Sequence, residues 1–311
     1  MPVSPHEYSF KEYEIKHEQE TIRFYIHTPR FSPAKSTFIF LQGSGAVPLC
    51  IENNDGHHRL TFSLHTNPQI IQNFNFIIIS KVGFTFSGHQ EAEVPEEYHQ
   101  KTSLAYRVFQ VDAVLQYILS NQLISNKHII VCGHSEGSDV AAKLATINKD
   151  ISHLVFLSGD GASQFFEYFL YIRKRIERGE LAFREGQYEI EVLTKQFAEI
   201  MQNPASTSKF WQGHTYLRWA TFTEPALKNL LQLNIPIFMA MGSKDKVVHA
   251  EGFDLIVSEF LFNKKTNLHH QIYEGADHGF KEKSDTGTSI DHIPPLIADI
   301  VTWFNQTLVS S

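Results

Sequence analysis

Gly133-His134-Ser135-Glu136-Gly137 constrains this chain more than any other stretch, because it marks a sharp turn from a strand into a helix. Just before it run His128-Ile129-Ile130-Val131-Cys132, short and apolar like a strand buried on both faces. After it, Ser138-Asp139-Val140-Ala141-Ala142-Lys143-Leu144-Ala145 follow a helical pattern with small residues on one side. A G-x-S-x-G turn in that setting holds its serine in a strained backbone conformation, with the hydroxyl lifted above the sheet. A side chain at either flanking glycine would crowd the neighbouring strand or the start of the helix. Ala141, Ala142 and Ala145 let the helix lie close to the sheet. The five residues alone also describe a Gly-rich turn without chemistry, so the rest of the chain has to decide.

The other strands come in a telling order. Tyr8 to Lys16 and Thr21 to His27 alternate polar with apolar residues and predict an N-terminal antiparallel pair. Thr37 to Leu41, Phe76 to Ser80, Ile129 to Cys132, Leu154 to Ser158, Ile235 to Met241 and Leu268 to Tyr273 complete a set of eight. Helical patterns separate the later ones, which implies right-handed crossovers and a mostly parallel sheet. Leu104, Val108, Val111, Leu115, Ile118 and Leu119 form one apolar helical stripe, and Gly252 to Phe262 and Ile290 to Leu308 are amphipathic.

One region breaks the rhythm. Between Ser158 and Ile235 the sequence shows helical segments (Phe165 to Arg178, Gln187 to Gln202, Thr223 to Leu233) and no convincing strand. An ordinary crossover needs far less chain, so residues 161–232 are expected as a helical cap inserted over the sheet edge. Residues 1–160 and 233–311 then form the core.

Composition excludes several classes. The 311 residues carry a net charge of −7 and a pI near 6.2, with no basic stripe, which argues against a nucleic-acid binder. Hydrophobic residues make up 42% and charged residues 20%, as in a folded soluble protein. No apolar run approaches the length of a membrane span, and Met1 to Phe10 lack the features of a signal peptide, so a cytoplasmic protein is expected. Of the two cysteines, Cys132 sits in the presumed core strand and is expected to be an inert thiol. The 17 histidines include the pairs His57-His58 and His269-His270, but no metal-ligand array appears, so neither metal nor cofactor is expected.

A serine nucleophile needs a base, an acid to orient that base, and donors for the oxyanion. Asp245 follows the strand ending at Met241, and His278 follows the strand ending at Tyr273. Loops at the carboxyl ends of parallel strands converge on one crevice, so both can meet above Ser135. Asp277, beside His278, and Asp160, after the strand ending at Ser158, are the competing acids. Leu41-Gln42-Gly43-Ser44-Gly45 suits an oxyanion loop, with the N–H groups of Ser44 and Glu136 as the expected donors.

Taken together, GHSEG, GSKDKVV, GADHGF and LQGSG resemble the α/β-hydrolase superfamily, most closely its dienelactone-hydrolase, acyl-CoA thioesterase and prolyl-oligopeptidase-like branch. The resemblance covers the core on both sides of the insertion and implies an eight-stranded, mostly parallel α/β-hydrolase sheet flanked by helices. It implies Ser135 as nucleophile, Asp245 as acid and His278 as base. Many relatives carry His-Gly where this chain has Gln42-Gly43. With only residues 1 to about 36 ahead of the first core strand, no propeller domain of the oligopeptidase kind is expected.

The implied activity is hydrolysis of a small carboxylic ester or thioester through an acyl-enzyme. An amide or small-peptide hydrolase, and a ligand-binding protein on a hydrolase scaffold, are the alternatives. Aromatic residues crowd the insertion, and Phe165 and Trp211 are candidates for an apolar substrate wall; packing of the insert onto the core is their other use. Gln42, Lys81 and Phe84, at the ends of two core strands, are the remaining substrate-binding candidates, with a solvent-facing lysine as the alternative for Lys81.

Overall fold

The computed structural model describes every residue except 1–2, 18–19, 62–63, 65–66, 126, 284–288 and 310–311. Its main sheet holds the eight strands expected from the sequence: β1 (Phe10–His17), β2 (Glu20–His27), β3 (Ser36–Leu41), β4 (Phe74–Ile79), β5 (Ile129–His134), β6 (His153–Leu157), β7 (Ile237–Gly242) and β8 (Leu268–Tyr273). Their order across the sheet is β1-β2-β4-β3-β5-β6-β7-β8. The first two neighbour pairs are antiparallel, and every pair from β4 to β8 is parallel.

Strand alternation divides the core in two. Ile39, Leu41, Val131, Leu154 and Phe156 point to one face, with α1 (Leu104–Ser120), α2 (Glu136–Ile147) and the later helix Ala250–Phe262 packed upon it. Phe38, Phe40, Ile130, Cys132 and Val155 point to the other, covered by the C-terminal helix Ile293–Val309 and the short helix Pro68–Asn73. Both faces of the central strands β3 to β7 are covered and these strands are mostly apolar, whereas the parallel edge strand β8 (Leu-His-His-Gln-Ile-Tyr) is largely half-buried or exposed. Ala141 and Ala142 are fully enclosed, and α2 lies against β5 and β6.

The turn between β5 and α2 is built on close approaches. A Cβ on Gly133 would stand 2.1 Å from the Gly137 carbonyl oxygen, and one on Gly137 would stand 2.2 Å from that of Leu41. Neither position has room for a side chain, which explains both glycines by packing.

Residues between β6 and β7 fold as α3 (Gln164–Glu177), α4 (Phe183–Gln202), a two-residue hairpin (Phe210–Trp211 with His214–Thr215), α5 (Tyr216–Phe222) and α6 (Ala226–Leu230). Helices α3 to α5 share a separate apolar cluster of Phe197, Ile200, Tyr216 and Trp219. Phe222, Ala226 and Leu230 instead join the main core, so α6 is tied to the sheet domain. The helix expected over Thr223 to Leu233 is shorter, because Thr223 closes α5 and Pro225 restarts the chain as the cap of α6.

Several short elements carry too few residues for periodicity to reveal them. They include a three-stranded sheet of Cys50–Glu52, His58–Leu60 and Ser87–His89, and the helix Glu96–Lys101. Cys50 and Cys132 are both buried and unpaired. No helix among the described residues is long and apolar enough to cross a membrane.

Gly137→Ala should lower the unfolding free energy by about 3 kcal/mol, the upper end for overpacking, since the clash is with backbone that cannot swing aside. Urea unfolding with an unchanged slope and an earlier midpoint is the expected result.

Candidate active site

Ser135 sits at the start of α2 with φ 55° and ψ −129°, a left-handed conformation that costs a non-glycine residue of the order of 1–3 kcal/mol. The loop after β3 touches it: a Cβ on Gly43 would stand 3.0 Å from Ser135 Cβ. Asp245, in the loop after β7, has a fully enclosed side chain. Its Oδ1 accepts the N–H groups of Val247 (2.8 Å) and Val248 (3.0 Å), and its Oδ2 lies 2.7 Å from His278 Nδ1. The imidazole is therefore held by an acid whose two oxygens are both fixed.

The competing acids are engaged elsewhere. Asp277 Oδ1 closes its own turn by accepting from Gly279 and Lys281 N–H. Asp160 Oδ1 accepts from Ala162 N–H, and its carboxyl is held well above the ordinary range by burial first and then by the charge of Glu167. Glu167 in turn accepts both the backbone N–H of His249 and a contact of 2.6 Å from its Nδ1.

The backbone of His278 is pinned as well. Its carbonyl accepts from Ser158 Oγ at 3.2 Å and lies 2.8 Å from His134 Nε2. Desolvation, then the neighbouring His278, pushes His134 down to about 4, so at neutral pH the ring is uncharged and donates from Nε2. The second residue of GHSEG thereby positions a loop 144 residues away.

Glu136 contributes more than a backbone N–H in the first, unsatisfied turn of α2. Its carboxylate is buried between two guanidinium groups: Arg107 of α1 donates from Nη1 at 2.8 Å, and Arg218 of α5 donates from Nε at 2.8 Å and again from Nη2. Arg107 Nη2 also donates to the Gln42 carbonyl at 2.8 Å, so one side chain joins the loop after β3 to the turn after β5. Burial alone would raise the Glu136 carboxyl, but Arg218, Arg107 and Lys81 outweigh it and hold it at about 2. Asp139, one turn further along α2, goes the other way: burial, then Glu136, push it up to about 8.

Two cavities meet at this point, and Ser135 and Ser44 line both. The larger, about 310 Å³, runs under the helical insert past Glu136, Asp139, Tyr168, Tyr171, Trp219 and Val248. The smaller, about 250 Å³, lies toward Gln42, Thr61, Lys81 and His278. No group of three or more His, Cys, Asp or Glu suited to a metal occurs among the described residues.

The substrate-binding expectations divide. Gln42 borders the smaller cavity but its side chain donates to Thr61 Oγ1. Lys81 borders it too, yet it is 5% exposed rather than solvent-facing, and its Nζ donates to the carbonyls of Gly43 and Gly45. Phe84 packs edge-on to Tyr98 and lines neither cavity. Phe165 stacks on Phe197 at 4.0 Å, and Trp211 packs against Trp219 and Tyr168 while its Nε1 donates to Gln196. Both serve the insert's own core, and the aromatic wall of the larger cavity comes from Tyr168, Tyr171 and Trp219.

Arg107, Arg218 and Tyr98 escaped the sequence reading, although a signal existed for two of them. Arg107 falls at helical spacing between Leu104 and Val111, a charge on an apolar stripe. Arg218 sits between Tyr216 and Trp219, and its guanidinium lies 4.1 Å from the Trp219 ring centroid.

Strand order, crossovers and this convergence of loops define the α/β-hydrolase fold. The chain matches the model of the dienelactone hydrolase family over residues 201–308, a stretch that contains Asp245 and His278 but not Ser135. Among solved structures it is similar to the esterase Est1E from Butyrivibrio proteoclasticus (TM-score 0.54, 12% identity, 96% of this chain and 99% of that one). It is also similar to the Pyrococcus furiosus esterase Pf2001 (0.55, 15%, 98% and 94%). A third similar structure is the acylaminoacyl peptidase of Pyrococcus horikoshii (0.60, 10%, 95% of this chain but 41% of that one). No curated protein matches the sequence.

Glu136→Gln should destabilise the protein by about 3–5 kcal/mol at neutral pH, because it leaves two buried guanidinium groups without a counter-charge. The Glu136 carboxyl is depressed on folding, so its stabilisation is present above about pH 4.3, the ordinary glutamate value, and drains as pH falls toward about 2. Across that window the gap between wild-type and Glu136→Gln unfolding midpoints should close.

Proposed function

We propose that this chain is a serine hydrolase that cleaves a carboxylic ester or thioester through an acyl-enzyme on Ser135. The observation that carries the reading is the 2.7 Å contact of His278 Nδ1 with Asp245 Oδ2, on loops that line the two cavities together with the strained Ser135. In this reading Asp245 keeps the proton on Nδ1, so that Nε2 takes the Ser135 proton as Oγ attacks the substrate carbonyl. The N–H groups of Ser44 and Glu136 receive the oxyanion, each worth about 2.7–4 kcal/mol in the transition state. His278 then returns the proton to the departing alkoxide or thiolate. Water attacks the acyl-enzyme by the reverse route and releases the acid.

Residues 161–232 act as a cap, with the acyl group beneath it in the larger cavity. A volume of about 310 Å³ lies at the small end of ligand pockets, which favours a short or single-ring acyl group. Two buried, unpaired cysteines suit a reducing compartment, in keeping with work in the cytoplasm.

A fluorophosphonate should label the wild type and leave Ser135→Ala unlabelled; a folded wild type that resists labelling would overturn the reading. Asp245→Asn should lower kcat by about 10⁴-fold, as a mis-set histidine tautomer does. If Asp160→Asn gave that loss and Asp245→Asn did not, the acid is misassigned. Aryl and alkyl esters, acyl-CoA thioesters and aminoacyl amides assayed together rank the leaving groups, and faster turnover of amides than of esters would reject the ester reading.

A further inference from the structure

The loop after β3 is held by its carbonyls, one after another. Arg107 Nη2 donates to Gln42, Lys81 Nζ to Gly43 at 2.5 Å, Tyr98 Oη to Ser44 at 3.0 Å, and Lys81 Nζ again to Gly45. Every peptide bond among the described residues is trans, so each N–H points opposite to the carbonyl of its own peptide group. Pulling the Gly43 carbonyl toward Lys81 therefore turns the Ser44 N–H away from it. Gly43 abuts Ser135, and Ser44 lines both cavities beside Ser135.

Building on the reading of Ser135 as nucleophile, we propose that Lys81 is a positioning residue of the oxyanion hole: its ammonium grips the Gly43 and Gly45 carbonyls and so aims the Ser44 N–H at the reacting oxygen. Burying a lysine is costly, and packing alone does not call for one, since methionine would fill a similar volume without desolvating a charge. Among the described residues no carboxylate is hydrogen-bonded to Nζ. Burial first, and then Arg107, push the Lys81 amine down to about 7, and Glu136, which pulls it back up, is already shared by two arginines. What the ammonium does have is two backbone carbonyls of one short loop. In its protonated form its charge at the carbonyl end of the Gly43–Ser44 peptide also polarises that group and strengthens its N–H as a donor. A Gly-Ser-Gly sequence leaves the backbone a wide choice of conformations, and these bonds fix one orientation before substrate arrives, which is the condition under which an oxyanion hole is effective.

The test compares wild type with Lys81→Met, Lys81→Gln and Lys81→Arg on one ester, with folding followed by circular dichroism. Lys81→Met keeps the volume and removes the donor. The expected result is a fall in kcat on the order of a hundredfold, the scale of losing one oxyanion donor, with KM within about twofold. Affinity for an arylboronic acid, whose tetrahedral serine adduct places an oxygen in the same hole, should weaken by the same factor. Lys81→Gln, which can reach a single carbonyl, and Lys81→Arg should recover part of kcat, and either serves if the methionine variant does not fold.

A folded Lys81→Met with wild-type kcat and boronate affinity would overturn the proposal, and so would a rise in KM at unchanged kcat, which marks a substrate contact instead. Fluorophosphonate labelling separates the two levels. Labelled wild type with an active Lys81→Met rejects Lys81 alone, whereas unlabelled wild type rejects the hydrolase reading beneath it.

Discussion

The carboxylate of Glu136, buried between Arg107 and Arg218, is the interaction on which the arrangement of the site depends. Each partner comes from a different part of the chain: α1, the turn after β5, and the helical insert. All three side chains are less than 10% exposed. A buried ion set of this kind contributes little net stability, because desolvation offsets most of the attraction. Its value lies in geometry. The pairing is satisfied in one arrangement, and that arrangement brings the loop after β3, the elbow and α5 together.

The same cluster explains why the candidate site is rigid on one side and roomy on the other. Behind Ser135, the carbonyls of residues 42–45 are all occupied by buried donors, and the His278 carbonyl is held by His134 and Ser158. In front of it, the aromatic side of the larger cavity is Tyr168, Tyr171 and Trp219 of the insert, facing Asp139 and Val248 of the core. The core thus supplies fixed backbone, and the insert supplies replaceable surface. Such a division lets one scaffold serve different substrates.

The centre of the sheet was legible because β3 to β7 are buried on both faces and appear as short apolar runs, and its first two strands because they alternate polar with apolar residues. Asp245 and His278 were legible because parallel strands deliver their following loops to one place, a rule of topology that needs no side-chain contact. What stayed hidden depends on azimuth. On α3, Phe165, Tyr168, Phe169 and Tyr171 all read as apolar, but a rotation of the helix decides which reach the cavity. The structure turns Phe165 and Phe169 onto Phe197 and leaves Tyr168 and Tyr171 at the wall. Lys81 stood among the substrate-binding candidates, but its burial was hidden for another reason: a lysine at a strand end is usually solvated, and only the fold of the following loops encloses it.

Arg218 gives the insert a stake in the elbow itself. An insert grafted from a relative onto this core would have to bring a cation to the same spot. Without one, Arg107 would be left as the sole partner of a carboxylate deep beside the serine. Loop exchange, an attractive way to redirect a scaffold like this, is therefore bounded by one guanidinium: the walls can be changed freely only while that anchor is carried along.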